Sequence, residues 1–202
     1  MDPLAPAAEP IARAADVLRA GGIVAIPTDT LYGLAVDPRE ADAVARLFAL
    51  KGRDAAAALP LVAADVAQAA RAGALDAVAR RLAERWWPGP LTIVVPAAAA
   101  LARAALAGGT TVAIRVPDHA VPRAVARALE FPVTATSANR SGAASAASAR
   151  EVASALPQLD LILDAGPTPG GPPSTIVQPA RGDLRLIRAG AVPWDRVLES
   201  LE

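Results

Sequence analysis

Cysteine is absent from the 202 residues, and histidine, lysine and tyrosine occur once each. Without cysteine there are no disulfides, no thiolate nucleophiles and no cysteine-type zinc sites, and a single histidine, His119, rules out a His-rich metal site. An excess of charge of one sign is also missing. Lys plus Arg (20) balance Asp plus Glu (20), so the molecule lacks the overall basic bias of a dedicated nucleic-acid binder, although a local basic cleft stays open. The N-terminal MDPLAPAAEP has neither a basic start nor an apolar core and does not read as a secretory signal. The most apolar long run, Leu91 to Leu106, is interrupted by Pro96 and carries Arg103, so it is not a membrane span. A soluble cytoplasmic protein is the expectation, and residues 1–202 are expected to form one domain, since no stretch reads as a linker.

What is present is organised around residues 21–38, GGIVAIPTDTLYGLAVDP. The β-branched run Ile23 to Ile26 reads as a buried strand that Pro27 stops, delivering the chain to the hydroxyls of Thr28, Thr30 and Tyr32 and the carboxylate of Asp29. Ligands of open α/β sheets sit just beyond strand ends. An ordinary Asx or Ser/Thr turn would leave the same trace, and Gly33 is expected to supply either a special backbone conformation or a close approach.

Helices are expected at about 11–20, 39–50, 65–71, 75–87, 121–129, 151–156 and 194–201, and strands at 22–26, 60–63, 91–95, 110–117, 131–136, 159–163, 174–177 and 184–188. Along 110–117 the alternation places Thr111, Ala113 and Arg115 on one face, and a covered arginine there needs an anionic or carbonyl partner. Lys51, the one lysine, and Arg53 flank Gly52 at a helix end. They could compensate the helix dipole or hold anions in one loop. Trp86 and Trp87 before Pro88 read as an apolar buttress. Thr134 to Ser137 repeat the pattern of a strand end running into hydroxyls, followed by Asn139, Ser141, Ser145 and Ser148. The run AGPTPGGPP at 165–173 is a turn-rich loop without the Gly-Lys-Ser/Thr ending of a Walker A motif, and Arg181-Gly182-Asp183 closes a hairpin.

Seven segments in register, PTDTLYGL, KGR, WPGPLTIVV, TVAIRVPDH, TSANRSG, STIV and LIRAGAV, resemble the YrdC/Sua5 family of threonylcarbamoyl-AMP synthases over nearly the whole chain. The resemblance implies an α/β fold, a twisted mixed sheet flanked by helices with an open cationic concavity, in a short form that stops after one domain. It implies that L-threonine, bicarbonate or CO2, and ATP yield threonylcarbamoyl-AMP and pyrophosphate for N6-threonylcarbamoyladenosine in tRNA, with Mg2+ held mainly through the ATP phosphates, a transfer machinery downstream, and direct tRNA contact left open. It assigns Lys51, Arg53, Ser137 and Asn139 to catalysis, and these four with Thr111, Ser145 and Arg188 to ATP. Thr28, Thr30, Tyr32, Arg115, Thr136 and Ser174 would face threonine. The chain departs from the family at Asp54 to Ala58, which replace a proline and polar residues, and at Leu61 to Ala64, where a histidine is often found. An RNA-binding module, a paralogue with another carbamoyl or nucleotide substrate, and a carbamoyl-transfer domain of hydrogenase maturation are the competing readings, the last normally part of a much larger chain.

Overall fold

A computed structural model describes residues 7–52, 57–180 and 183–202. Helix α1 (Ala8–Arg19) buries Ile11, Ala14, Ala15 and Leu18, the stripe expected of a helix lying on a sheet. It begins three residues before the expected start, with Pro10 still in the first turn, where its missing N–H costs nothing. Strands β1 (Val24–Ile26) and β2 (Gly33–Ala35) then form an antiparallel pair joined through the PTDT segment. The sequence reading had no strand at β2. Its three residues are too few to show a period, and their pairing to β1 is what makes them a strand.

Helix α2 (Ala41–Lys51) ends at Gly52, whose φ of 60° is left-handed and closes the last turn. After β3 (Leu61–Val62) come α3 (Val66–Ala72) and α4 (Ala77–Trp86), capped by the Asp65 and Asp76 carboxylates, which accept from the backbone N–H of Gln68 and Ala79. Strand β4 (Leu91–Pro96), a 3-10 turn at Arg103–Leu106 and strand β5 (Thr111–Arg115) follow. Helix α5 (Ala120–Leu129) is capped by His119.

The segment expected as one strand at 131–136 is two: β6 (Val133–Thr134) and β7 (Thr136–Ser137), which pair in different sheets. Thr134 makes the transfer, its Oγ1 accepting from Val36 N (2.9 Å) and donating to Leu34 O (3.2 Å). The chain ends with α6 (Ala149–Ala155), β8 (Leu161–Ile162), the hairpin β9 (Thr175–Ala180) and β10 (Asp183–Arg188), and α7 (Trp194–Glu199). The expected turn at Arg181 and Gly182 lies outside the described residues.

The strands divide into a four-stranded sheet, β7-β2-β1-β8, and a six-stranded sheet, β10-β9-β4-β5-β3-β6. Both are mixed, so the expected mixed sheet is present as two. One core lies under the six-stranded sheet around Leu82, Leu91, Ile93 and Trp87, and a second lies under the smaller sheet around Leu34, Leu47 and Leu156. A third takes Val24 and Ile26 from one sheet, Val62 and Val133 from the other, and Leu18 and Val125 from α1 and α5. That shared core brings the PTDT turn and the start of β7 against the open ends of β5 and β9. Trp87 is buried with its indole donating to Leu91 O (2.7 Å), the buttress expected of it.

Candidate active site

Between the sheets lies a cavity of about 540 Å3, within the size range of small-molecule sites. The β1–β2 turn contributes Thr28, Thr30, Leu31 and Tyr32, and the β6–β7 segment contributes Thr136 and Ser137. Arg115 reaches it from the end of β5, Ser174 from the start of β9, Arg188 from the end of β10, and Ser145 from the loop before α6. Nine of the residues expected from the sequence thus share one wall. Arg53 lies outside the described residues. Thr111 is not among the lining residues; it starts β5, opposite Pro96, while Arg115 ends it, about 13 Å away at strand rise.

Lys51 and Asn139 stand directly behind this wall. Lys51 is 3 % exposed, and its ammonium donates to Ser137 O (2.5 Å), Asn139 O (3.0 Å) and Asn139 Oδ1 (3.1 Å). Ser141 N returns a bond to Lys51 O (2.9 Å), so the end of α2 and the Ser-Ala-Asn loop hold each other. Lys51 is thus tied to this loop and is not a solvated cation at the α2 terminus. The Ser137 hydroxyl donates to Asn139 Oδ1 (2.6 Å), and the Asn139 amide donates to Ala143 O (2.5 Å). These bonds hold Ser137 at the cavity.

The threonines of the turn divide their work. Thr28 Oγ1 donates to Leu31 O (2.7 Å) and accepts from the backbone N–H of Thr30 (3.2 Å) and Leu31 (3.3 Å), so it builds the turn. Thr30 keeps only a 3.1 Å contact to that hydroxyl. Tyr32 is 1 % exposed and its OH donates to Gly166 O (2.8 Å). Burial raises its pKa above the usual phenol value, so it stays a donor. Gly170 N also donates to Thr30 O (3.0 Å) and Thr168 N to Ala147 O (2.8 Å). The turn-rich loop at 165–173 is thereby stitched across the PTDT turn. At Gly33 a Cβ would meet Thr136 O at 3.4 Å, ordinary contact, and φ is not positive there, so neither reason expected for that glycine holds.

The covered arginine of β5 has its anionic partner. Arg115 Nη1 donates to Asp29 Oδ2 (3.0 Å) and Nη2 lies 3.0 Å from Oδ1. The second contact is ionic: Oδ1 is buried off the hydrogen-bond axis. The Arg188 Nε and Nη2 donate to Ser174 O (3.2 and 2.8 Å), and its pKa is lowered, first by partial burial and then by the Arg115 charge. His119, near the same carboxylate, caps α5 by accepting from Val121 N at Nδ1 (3.2 Å), which requires the neutral ring. Burial lowers its pKa against the opposing pull of Asp29 and Asp118.

Thr92, buried in β4, also lines the cavity and shares a 2.8 Å bond with the Ser174 hydroxyl. The sequence reading passed over it, although a lone hydroxyl in the apolar run LTIVV was a usable signal. Among the described residues no group of three His, Cys, Asp or Glu could hold a metal ion, and no helix is long and apolar enough to cross a membrane.

A family model, Sua5_yciO_yrdC, described as telomere recombination, matches residues 16–190. The chain belongs to the Sua5/YciO/YrdC family. It is 38 % identical over 190 residues to the threonylcarbamoyl-AMP synthase of Bacillus subtilis, covering 93 % of this chain and 55 % of that protein. To the Thiobacillus denitrificans enzyme of the same name it is 38 % identical over 173 residues, 85 % of this chain and 91 % of the relative. The structure of Pyrococcus abyssi Sua5 complexed with L-threonine superimposes with a TM-score of 0.89 at 35 % identity, over 95 % of this chain and 57 % of that one. The chain thus spans little more than half the length of the Bacillus and Pyrococcus relatives.

Proposed function

We propose that the chain is an L-threonylcarbamoyladenylate synthase. The observation that carries the reading is the convergence of two arginines and a ring of hydroxyls on one cavity, braced from behind by Lys51 and Asn139. The names of its family relatives and the threonine complex of one of them support the choice of substrates.

In this reading the amine of L-threonine and CO2 form a carbamate whose oxygen attacks the α-phosphorus of ATP, and pyrophosphate leaves. No side chain becomes covalently attached, so the absence of cysteine is no obstacle. The protein positions two anions and stabilises charge on the phosphoryl oxygens. Arg115 is placed to take the amino acid's carboxylate through its planar fork, with Ser174, Thr30 and Thr136 beside it. Arg188, Ser137 and Ser145 face the triphosphate, and Arg53 would complete that side. Among the described residues no carboxylate cluster could hold Mg2+, and the proposal has the ion carried mainly by the ATP phosphates. The product would serve tRNA threonylcarbamoylation in the cytoplasm.

The test is pyrophosphate release with ATP, L-threonine and bicarbonate, omitting each in turn. Release is expected only with all three; turnover indifferent to threonine would remove the assignment.

A further inference from the structure

Thr28, Thr30 and Leu31 line the cavity, and Asp29, in their midst, is not among the lining residues. Its carboxylate meets the Nη1/Nη2 end of Arg115 at 3.0 Å on both sides, with the two side chains only 17 % and 10 % exposed. Among the described residues this is the one ion pair that includes a cavity-lining cation.

Two opposite consequences could follow. A carboxylate on Arg115 could compete with a substrate carboxylate for the same guanidinium, so that its loss would tighten substrate binding. It could instead hold the guanidinium in place, so that its loss would weaken binding. The geometry decides. A guanidinium has five N–H donors, and Asp29, which does not line the cavity, meets only the two terminal nitrogens, so donors remain on Arg115 for a second carboxylate. Arg188 shares the cavity, and the two positive charges sense each other. Without Asp29, two like charges would face one space with no ion pair to either among the described residues, and the long Arg115 side chain would regain its rotamers.

We propose that Asp29 is a positioning residue for the amino-acid substrate: through its end-on pairing it keeps Arg115 aimed into the cavity and offsets its charge beside Arg188, without touching substrate. This rests on the reading that Arg115 receives the substrate's carboxylate.

The experiment is steady-state pyrophosphate release by the full chain as wild type, Asp29→Asn, Arg115→Ala and the double variant, varying L-threonine and ATP separately, with melting temperatures recorded. Asp29→Asn is expected to raise the KM for threonine about tenfold, the scale of one charged hydrogen bond, with the KM for ATP changed less than about twofold. In the Arg115→Ala background the same change is expected to add nothing, since Asp29 acts only through that arginine. An unchanged or lowered threonine KM, an equal rise for ATP, or additive effects in the double variant would overturn the inference. Should Asp29→Asn fail to fold, Asp29→Glu gives the same reading: charge kept and reach altered, it is expected to raise the threonine KM about threefold and to lose that effect without Arg115. The wild-type arm separates the two levels. No threonine-dependent release there removes the proposed function and this inference together, whereas a working wild type with indifferent variants removes the inference alone.

Discussion

At the scale of single residues, Lys51 shows how far a side chain's chemistry depends on what surrounds it. A cation at a helix end is ordinarily a solvated head, yet here it is 3 % exposed and holds three oxygens of the Ser137–Asn139 loop. Replacement by methionine keeps the aliphatic stem and deletes the donors, leaving buried acceptors without that partner. Lys51→Met is expected to cost about 2 kcal/mol of stability, read by chemical denaturation. It is also expected to lower threonine-dependent pyrophosphate release by about a hundredfold, the scale of losing one preorganised electrostatic group. A loss of release with unchanged stability would mean that the lysine serves the reaction without bracing the loop.

At the scale of elements, the cavity is made by junctions. Strand β9 begins and β10 ends at the same place, where Ala191 N donates to Pro173 O (2.9 Å) and Arg188 donates to Ser174 O (2.8 Å). Gly190 makes that junction possible, because a Cβ there would lie 2.3 Å from Pro173 O and 2.5 Å from Thr175 N. These are backbone atoms that cannot step aside. Gly190→Ala is expected to destabilise by roughly 3 kcal/mol and, by moving Ser174 and Arg188, to weaken threonine and ATP together. A melting curve with paired KM measurements checks this. The outer strand β10 exposes Leu186 and Ile187 and carries an irregularity in its pairing between Leu186 and Arg188. Such a bulge, with arginines along the edge, discourages another strand from adding there.

At the scale of the whole molecule, the two sheets share one core. The chain passes from the six-stranded to the four-stranded sheet within β6 and β7, and Val24, Ile26, Val62 and Val133 pack together. We therefore propose that the chain unfolds as one domain. Trp87 lies in the core of the larger sheet and Trp86 and Trp194 pack against it, so tryptophan fluorescence reports that half and far-ultraviolet circular dichroism reports both. Their unfolding transitions are expected to coincide; separate midpoints would divide the chain into two units.

Much was legible in the residues themselves. Helical stripes such as Ile11, Ala14, Ala15 and Leu18 and the apolar runs of β4 and β5 declare themselves locally, because their signal repeats within one element. The order of the seven motifs was enough to point to the family, and it supplied the hydroxyls and arginines now found around one cavity. Tertiary structure decided the rest. Strand β2 exists because β1 and β7 flank it, and β6 parts from β7 because Thr134 bonds to the β2 backbone. Asp29 binds Arg115 across 86 positions of chain and Lys51 reaches Asn139 across 88. Such partnerships leave no local periodicity, since they depend on which surfaces the hydrophobic cores bring face to face.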